Sequence, residues 1–164
     1  MKKLNIGAGF QIIEGFTNID CVQCVDNDGK EYTDVICDVE KERLPFEDNS
    51  IDEIACYEFL EHMSHERDNP DKLDALIWVM NEMWRVLKPD GILKGKCPHE
   101  GGENAFADPT HQRVILAATF DYFTGTNKYN SNQPARPRLA SYGAKPWNKI
   151  LVDKGVHFTL SPRK

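Results

Sequence analysis

The stretch from Leu4 to Asp20, LNIGAGFQIIEGFTNID, constrains the fold more than any other part of the chain. Leu4 and Ile6 are apolar with strand propensity. Gly7 and Gly9 follow, where the absence of a Cβ lets the backbone turn sharply and approach a ligand closely. Phe16, Thr17 and Ile19 resume extended character, and Asp20 falls where the second strand ends. A carboxylate at that point can accept two hydrogen bonds from a ribose diol, which is why nucleotide folds place an acid there.

Beyond Asp20 comes a polar run with turn chemistry at Asp26–Gly29 (DNDG). Thr33–Cys37 reads as a third strand closed by Asp38, and Ile51–Tyr57 as a fourth, after a turn at Asp48–Ser50. Asn69 is placed to cap a helix with Pro70 at its first position. Leu73, Leu76, Ile77, Met80, Trp84 and Leu87 then recur at helical spacing, which predicts an amphipathic helix over about 70–87. Lys88–Gly91 is expected to turn the chain into a fifth strand, Ile92–Cys97. A weaker helical pattern spans Thr110–Phe123, and Gly125–Pro146 reads as a long mobile or ligand-facing loop. Trp147–Val152 and Val156–Leu160 read as a hairpin around Asp153–Gly155. Strands separated by helices and connections predict an α/β fold with a mainly parallel sheet. Ligands of such sheets bind at the carboxyl ends of the strands. Asn5–Gly9, Asp20, Asp38 and Tyr57–Phe59 all fall at such ends.

The 164 residues suit a single domain, 1–164, with a real core. No apolar run approaches the roughly 20 residues of a membrane span. Two lysines precede the first glycines with no sustained apolar region, so no signal peptide is read and a cytoplasmic location is expected. The five cysteines are an odd number scattered over strand-like segments, which argues against a disulfide framework. Cys21-x-x-Cys24 lacks a second pair to complete a zinc site, so no metal is expected there. The net charge of -6 conceals a basic end: from Gly125 onward the only acid is Asp153, against eight lysines and arginines. That end is either a solvated face or a surface for an anionic substrate.

Together these residues resemble the class I S-adenosylmethionine-dependent methyltransferases over nearly the whole chain. Leu4–Phe10 resembles the family's first motif, and Gly15–Asp20 the strand whose terminal acid holds the ribose. DVICDVEKERLPFEDNSIDEI, CYEFLEHM and WRVLKPDGIL resemble the third-strand motif, the fourth-strand segment and the helix–turn–fifth-strand unit. FADPTHQR with TFDYF resembles a branch of small methyltransferase-like proteins. The resemblance implies a Rossmann-like, doubly wound sheet of seven strands, mainly parallel, with an antiparallel terminal hairpin. It implies S-adenosyl-L-methionine as cofactor, held by Asn5, Gly7, Ala8, Gly9 and Phe10, by Asp20 at the ribose, by Asp38 and Val39 at the adenine, and by Tyr57, Glu58 and Phe59. A nicotinamide dehydrogenase fits less well, because Ile12 stands where its third glycine belongs.

Two features depart from the family. The connection between the first two strands is too short for a crossover helix of a dozen or so residues. Lys94 and Lys96 share one face of the fifth strand, where a central strand is normally apolar. Reduced helical cover is expected, with a homodimer burying the thinly covered face. Methyl transfer is an in-line displacement that needs an aligned nucleophile and a proton acceptor. Candidate bases are Glu58, Glu61, His62, His99, Asp108 and His111, with His111 first because DPTH follows the fifth strand in a loop able to close over the pocket. Absence of an N/D-P-P-Y/F segment or a Pro-Cys pair makes nucleic acid an unlikely acceptor and leaves a small molecule, sugar or lipid-linked glycan. The competing reading is a non-catalytic module that binds the cofactor or its product.

Overall fold

A computed structural model describes residues 1–99, 101–125 and 138–164. Its single sheet has seven strands: β1 (Lys3–Ile6), β2 (Thr17–Asp20), β3 (Val35–Ile36), β4 (Ile51–Tyr57), β5 (Leu87–Lys96), β6 (Trp147–Val152) and β7 (His157–Pro162). They lie in the order β3-β2-β1-β4-β5-β7-β6. β1 to β5 pair in parallel and β7 inserts antiparallel between β5 and β6, as the expected terminal hairpin. The strand order reverses between β1 and β4, and because these strands are parallel the carboxyl ends of β1, β2, β3 and β4 share one rim.

Register separates the two faces. Leu4, Ile54, Leu93 and Leu160 align across β1, β4, β5 and β7, and all are buried. Helices α1 (Ala75–Val86) and α3 (Ala117–Thr124) complete the core on that side, with Trp78, Met80, Met83 and Phe120 fully buried. Phe120 stacks against Phe158 with ring centroids 4.6 Å apart. The opposite face shows the reduced cover the sequence led us to expect. There Glu53 ties Lys3 at 2.8 Å to Lys94 at 2.9 Å, and Lys96 meets Glu58 at 2.9 Å. These lysines are about a third to a half exposed, so the ladder keeps the face wetted and adds little stability per pair.

The bounds of α1, β3, β5 and α3 differ from expectation. Helix α1 begins at Ala75 and not near residue 70, with Asp74 Oδ1 capping the Leu76 N–H at 3.1 Å. Asn69 instead closes its own turn, donating to the Leu73 carbonyl at 2.7 Å and accepting from the Leu73 N–H at 3.0 Å. β3 shortens to two residues because Thr33 Oγ1 is engaged by the Cys24 N–H and the Val22 carbonyl. β5 begins at Leu87, directly after α1, and accommodates Pro89 where the register against β4 shifts. α3 occupies only the end of the weaker helical pattern, and a one-turn helix, α2 (Asn104–Ala107), precedes it. Most of the long loop expected over 125–146 lies outside the described residues.

The connection from β3 to β4 contains no α-helix and is anchored by α1. Arg85 donates to the carbonyls of Leu44 and Phe46 at 2.9 and 2.8 Å. It also donates to the buried Glu82 at 2.7 Å, and Glu82 in turn accepts the Leu44 N–H at 3.0 Å.

Candidate active site

Gly7 adopts φ +67°, and its N–H, like that of Ala8, donates to the Ile19 carbonyl at the end of β2. A Cβ on Gly7 would overlap the Phe59 ring, so only glycine fits between β1 and that ring. Gly9, at φ +48°, donates its N–H to Asp20 Oδ2 at 2.9 Å. Asn5 lies beneath, buried, donating to the Gln11 carbonyl at 2.7 Å and to Asn18 Oδ1 at 3.0 Å. The short connection is therefore held by side chain-to-backbone hydrogen bonds in place of a helix.

The turn opens onto a cavity of about 280 Å³ at the carboxyl ends of β1 to β4. Its lining includes Gly7, Asp20, Asp38, Val39, Phe59 and His62 of the residues singled out in the sequence. It also includes Ile19, Cys37, Glu40 and Met63, which lie within the quoted motifs but were given no role there, and Cys21, which follows directly on Asp20. Asn5, Ala8, Gly9, Phe10, Tyr57 and Glu58 are not among the lining residues. Phe10 is 65 % exposed and meets Tyr32 edge-on, and Glu58 faces Lys96 on the open sheet face. Asp38 accepts the Glu40 N–H at 3.2 Å and pairs with Lys41 at 3.1 Å. Glu40 is committed to Ser64, accepting its N–H and hydroxyl at 2.8 Å each. Burial, followed by the charges of Glu42 and Asp38, pushes the Cys37 thiol up to about 11.

The DPTH loop docks against the end of β4. The N–H groups of Gln112 and Arg113 both donate to the Glu61 carbonyl, and Arg113 Nε donates to the Met63 carbonyl at 2.6 Å. The contact brings Glu61, His62, Asp108 and His111 together. Thr110 gives its hydroxyl proton to Asp108 Oδ1 at 2.6 Å, so His62 Nδ1, 3.0 Å from Thr110 Oγ1, must carry a hydrogen. His111 Nδ1 faces the Ala105 carbonyl at 3.3 Å and carries one for the same reason. The two imidazoles meet edge-on with centroids 4.8 Å apart. His111 Nε2 lies 4.0 Å from Glu61 Oε1 and 3.9 Å from Asp108 Oδ2. Glu61 is 1 % exposed, no N–H or O–H group donates to its carboxylate oxygens, the Cys97 thiol beside it is only a weak donor, and burial pushes its carboxyl well above the ordinary carboxylate range. Only His62 of this group also lines the cavity. His99 is elsewhere, accepting the Gly101 N–H at 3.0 Å.

A wider cleft of about 660 Å³ lies between α1 and α3, lined mainly by apolar groups with Asp74, His65 and Arg113 at its edge. Among the described residues no helix is long and apolar enough to cross a membrane.

Comparison with known proteins agrees with this geometry. The methyltransferase-domain family matches residues 17–94, which run from β2 into β5. No curated protein sequence matches the chain. Among solved structures, an S-adenosylmethionine-dependent methyltransferase from Archaeoglobus fulgidus is 17 % identical over 74 % of this chain and 57 % of its own, with a TM-score of 0.53. One from Aquifex aeolicus is 16 % identical over 99 % of this chain and 81 % of its own, with a TM-score of 0.50. A protein from Pyrococcus horikoshii gives 16 %, 99 %, 82 % and 0.53 on the same measures. The chain thus spans little more than half the length of the Archaeoglobus protein. At these identities the structures speak for the fold alone, and the family match covers 78 of the 164 residues. Residues 17–94 thus match a methyltransferase domain, on a fold that the whole chain shares with solved S-adenosylmethionine-dependent methyltransferases.

Proposed function

We propose that the chain binds S-adenosyl-L-methionine in the cavity at the ends of β1 to β4 and passes its methyl group to a non-nucleic-acid acceptor, an oxygen or nitrogen on a small molecule or sugar. The observation that carries this is the donor set of one cavity: the carboxylates of Asp20 and Asp38 beside the apolar walls of Val39, Phe59 and Met63. The carboxylates suit a ribose diol and an adenine amino group, and the apolar walls suit a purine face. At about 280 Å³ the space matches the low end of small-molecule sites, enough for the adenosyl part.

When bound, the cofactor supplies an electrophilic methyl on a sulfonium: the acceptor lone pair forms the new bond, the carbon–sulfur bond breaks, and a neutral thioether leaves. The chain's own residues orient the two partners and take the acceptor's proton. We assign that proton to the group of His62, His111 and Asp108, because both imidazoles hold Nδ1 in hydrogen bonds and leave Nε2 as the basic atom. His62 is the member at the cavity wall. His111, the first choice from the sequence, stands behind it with its side chain 10 % exposed. That placement favours, as a second reading, a module that binds the cofactor without turnover.

The homodimer belongs to this reading as an expectation with a changed premise. The uncovered sheet face carries ion pairs, so a seam there would be polar. A cytoplasmic location is part of the same reading. Calorimetry with S-adenosylhomocysteine tests it. Micromolar binding, weakened about tenfold or more in Asp20→Ala, supports the site, and no binding by a folded protein removes it. Methyl transfer to any member of a small-molecule acceptor panel then separates enzyme from binding module.

A further inference from the structure

We propose that Glu61, His62 and His111 form a binding site for one divalent transition-metal ion, with Zn²⁺ as the reference case. The argument is one of unmatched lone pairs. No N–H or O–H group donates to either Glu61 oxygen, in a side chain only 2 % exposed, and the one donor beside it is the weak Cys97 thiol. His111 Nε2, a lone-pair atom once Nδ1 bonds the Ala105 carbonyl, looks at Glu61 from 4.0 Å. His62 is fixed in the same tautomer by Thr110, which leaves its Nε2 lone pair as well. One ligand atom from each of the three residues lies within 4.8 Å of the other two. Acceptors facing acceptors in a buried place are costly unless a cation stands between them. A single proton can bridge only one pair of these atoms, whereas a metal ion engages all three.

Two imidazoles and one carboxylate form a recurring ligand set for zinc and for non-haem iron, with coordination positions left open. Around zinc at about 2.0 Å, ligand atoms stand about 3.3 Å apart, so the cluster needs to contract by roughly an ångström. Its outer support is already in place. Metal-bound histidines usually donate their other ring nitrogen to a carbonyl or a carboxylate-linked partner, as His111 does to Ala105 and His62 does to Thr110, itself bonded to Asp108. The paired N–H groups of Gln112 and Arg113 on the Glu61 carbonyl fix the two loops against each other.

Because His62 also lines the cofactor cavity, an ion here would stand at its edge and hold an acceptor through oxygen. That last clause rests on the methyl-transfer reading, while the metal site itself does not.

The test is direct titration of the full chain, stripped with chelator, with Zn²⁺, Mn²⁺ and Fe²⁺, alongside a separate titration with S-adenosylhomocysteine. One ion per chain is expected, with affinity falling at least about 100-fold in Glu61→Gln and in His111→Asn and unchanged in Cys21→Ser, since loss of an outer-shell partner alone costs about 10–100-fold. Should those variants fail to fold, the parent protein still decides: a stoichiometric ion must shield His62 and His111 from acylation by diethyl pyrocarbonate. No stoichiometric metal, unshielded histidines, or equal affinity in a folded Glu61→Gln overturns the proposal. Cofactor binding without metal would overturn the metal site alone, and metal without cofactor would overturn the cofactor reading alone.

Discussion

Asp20 Oδ2 accepts the Gly9 N–H at 2.9 Å, so the acid assigned to the ribose also fastens the turn it follows. Asp20→Asn can keep an oxygen toward Gly9 but loses the charge, whereas Asp20→Ala loses both. Charge-assisted hydrogen bonds contribute roughly 1.5–3 kcal/mol, so S-adenosylhomocysteine affinity should fall about tenfold or more in each variant. Only Asp20→Ala should also lower the melting temperature. Calorimetry and thermal unfolding read the two effects separately, and equal melting temperatures would show that the turn does not depend on this bond.

Gly7→Ala is expected to be costly on two counts. Its φ of +67° disfavours any Cβ by roughly 1 kcal/mol, and the added carbon would drive into the Phe59 ring. Gly7→Ala paired with Phe59→Ala should recover part of the stability, because only the backbone strain then remains. A double-mutant cycle in urea unfolding measures the coupling, and additive effects would separate the two residues.

Glu82 and Arg85 hold the helix-free connection before β4, and Glu82 is 3 % exposed. Removing one partner of a buried pair strands the other and typically costs about 3–5 kcal/mol. Arg85→Met should therefore destabilise severely, and more than Lys94→Met on the open sheet face, which should change stability by under about 1 kcal/mol. Chemical denaturation of the two variants checks the contrast.

Thiol chemistry reports on the cavity from inside. Only a thiolate reacts quickly with iodoacetamide, and a thiol raised to about 11 is about one part in a thousand ionised at pH 8. A raised thiol pKa means reactivity is gained as pH rises toward that value, so Cys37 should stay slow through the whole neutral range. Cys21 is exposed and should label first, although burial and then the Asp20 charge shift it upward too. S-adenosylhomocysteine should slow Cys21 labelling, since both Asp20 and Cys21 line the cavity. Peptide mapping by mass spectrometry gives the order, and labelling of Cys21 indifferent to ligand would place the nucleoside elsewhere.

What the sequence disclosed follows from how local each signal is. β4 was legible to the residue from Ile51 to Tyr57, because a turn precedes it and acids follow it. The first strand of the terminal hairpin, Trp147–Val152, was equally plain, whereas the second, read as Val156–Leu160, runs from His157 to Pro162. The start of α1 was not, since Asn69 and Asp74 are both good caps and only packing decides which one serves. In the cavity, Gly7, Asp20, Cys37, Asp38 and Val39 belong to motifs that a strand end positions, whereas Met63 arrives after the short helical turn that follows β4. Glu61 was visible as an acid near a rim. Its meeting with His111 depends on a contact such as Thr110 to His62, 48 residues apart, which no periodicity announces.

The three connections that join β1 to β4 contain no α-helix, so the half of the sheet bearing Asp20 and Asp38 has little packed against it compared with β4, β5 and β7. Regions with fewer buried contacts open at lower free energy than the rest of a domain. Amides of β2 and β3 should therefore exchange with deuterium well before those of β5. A nucleoside spanning Asp20 and Asp38 would act there as a strut, taking over a task that crossover helices perform in doubly wound sheets. For this chain, ligand occupancy and the local integrity of the β1–β3 edge become a single variable.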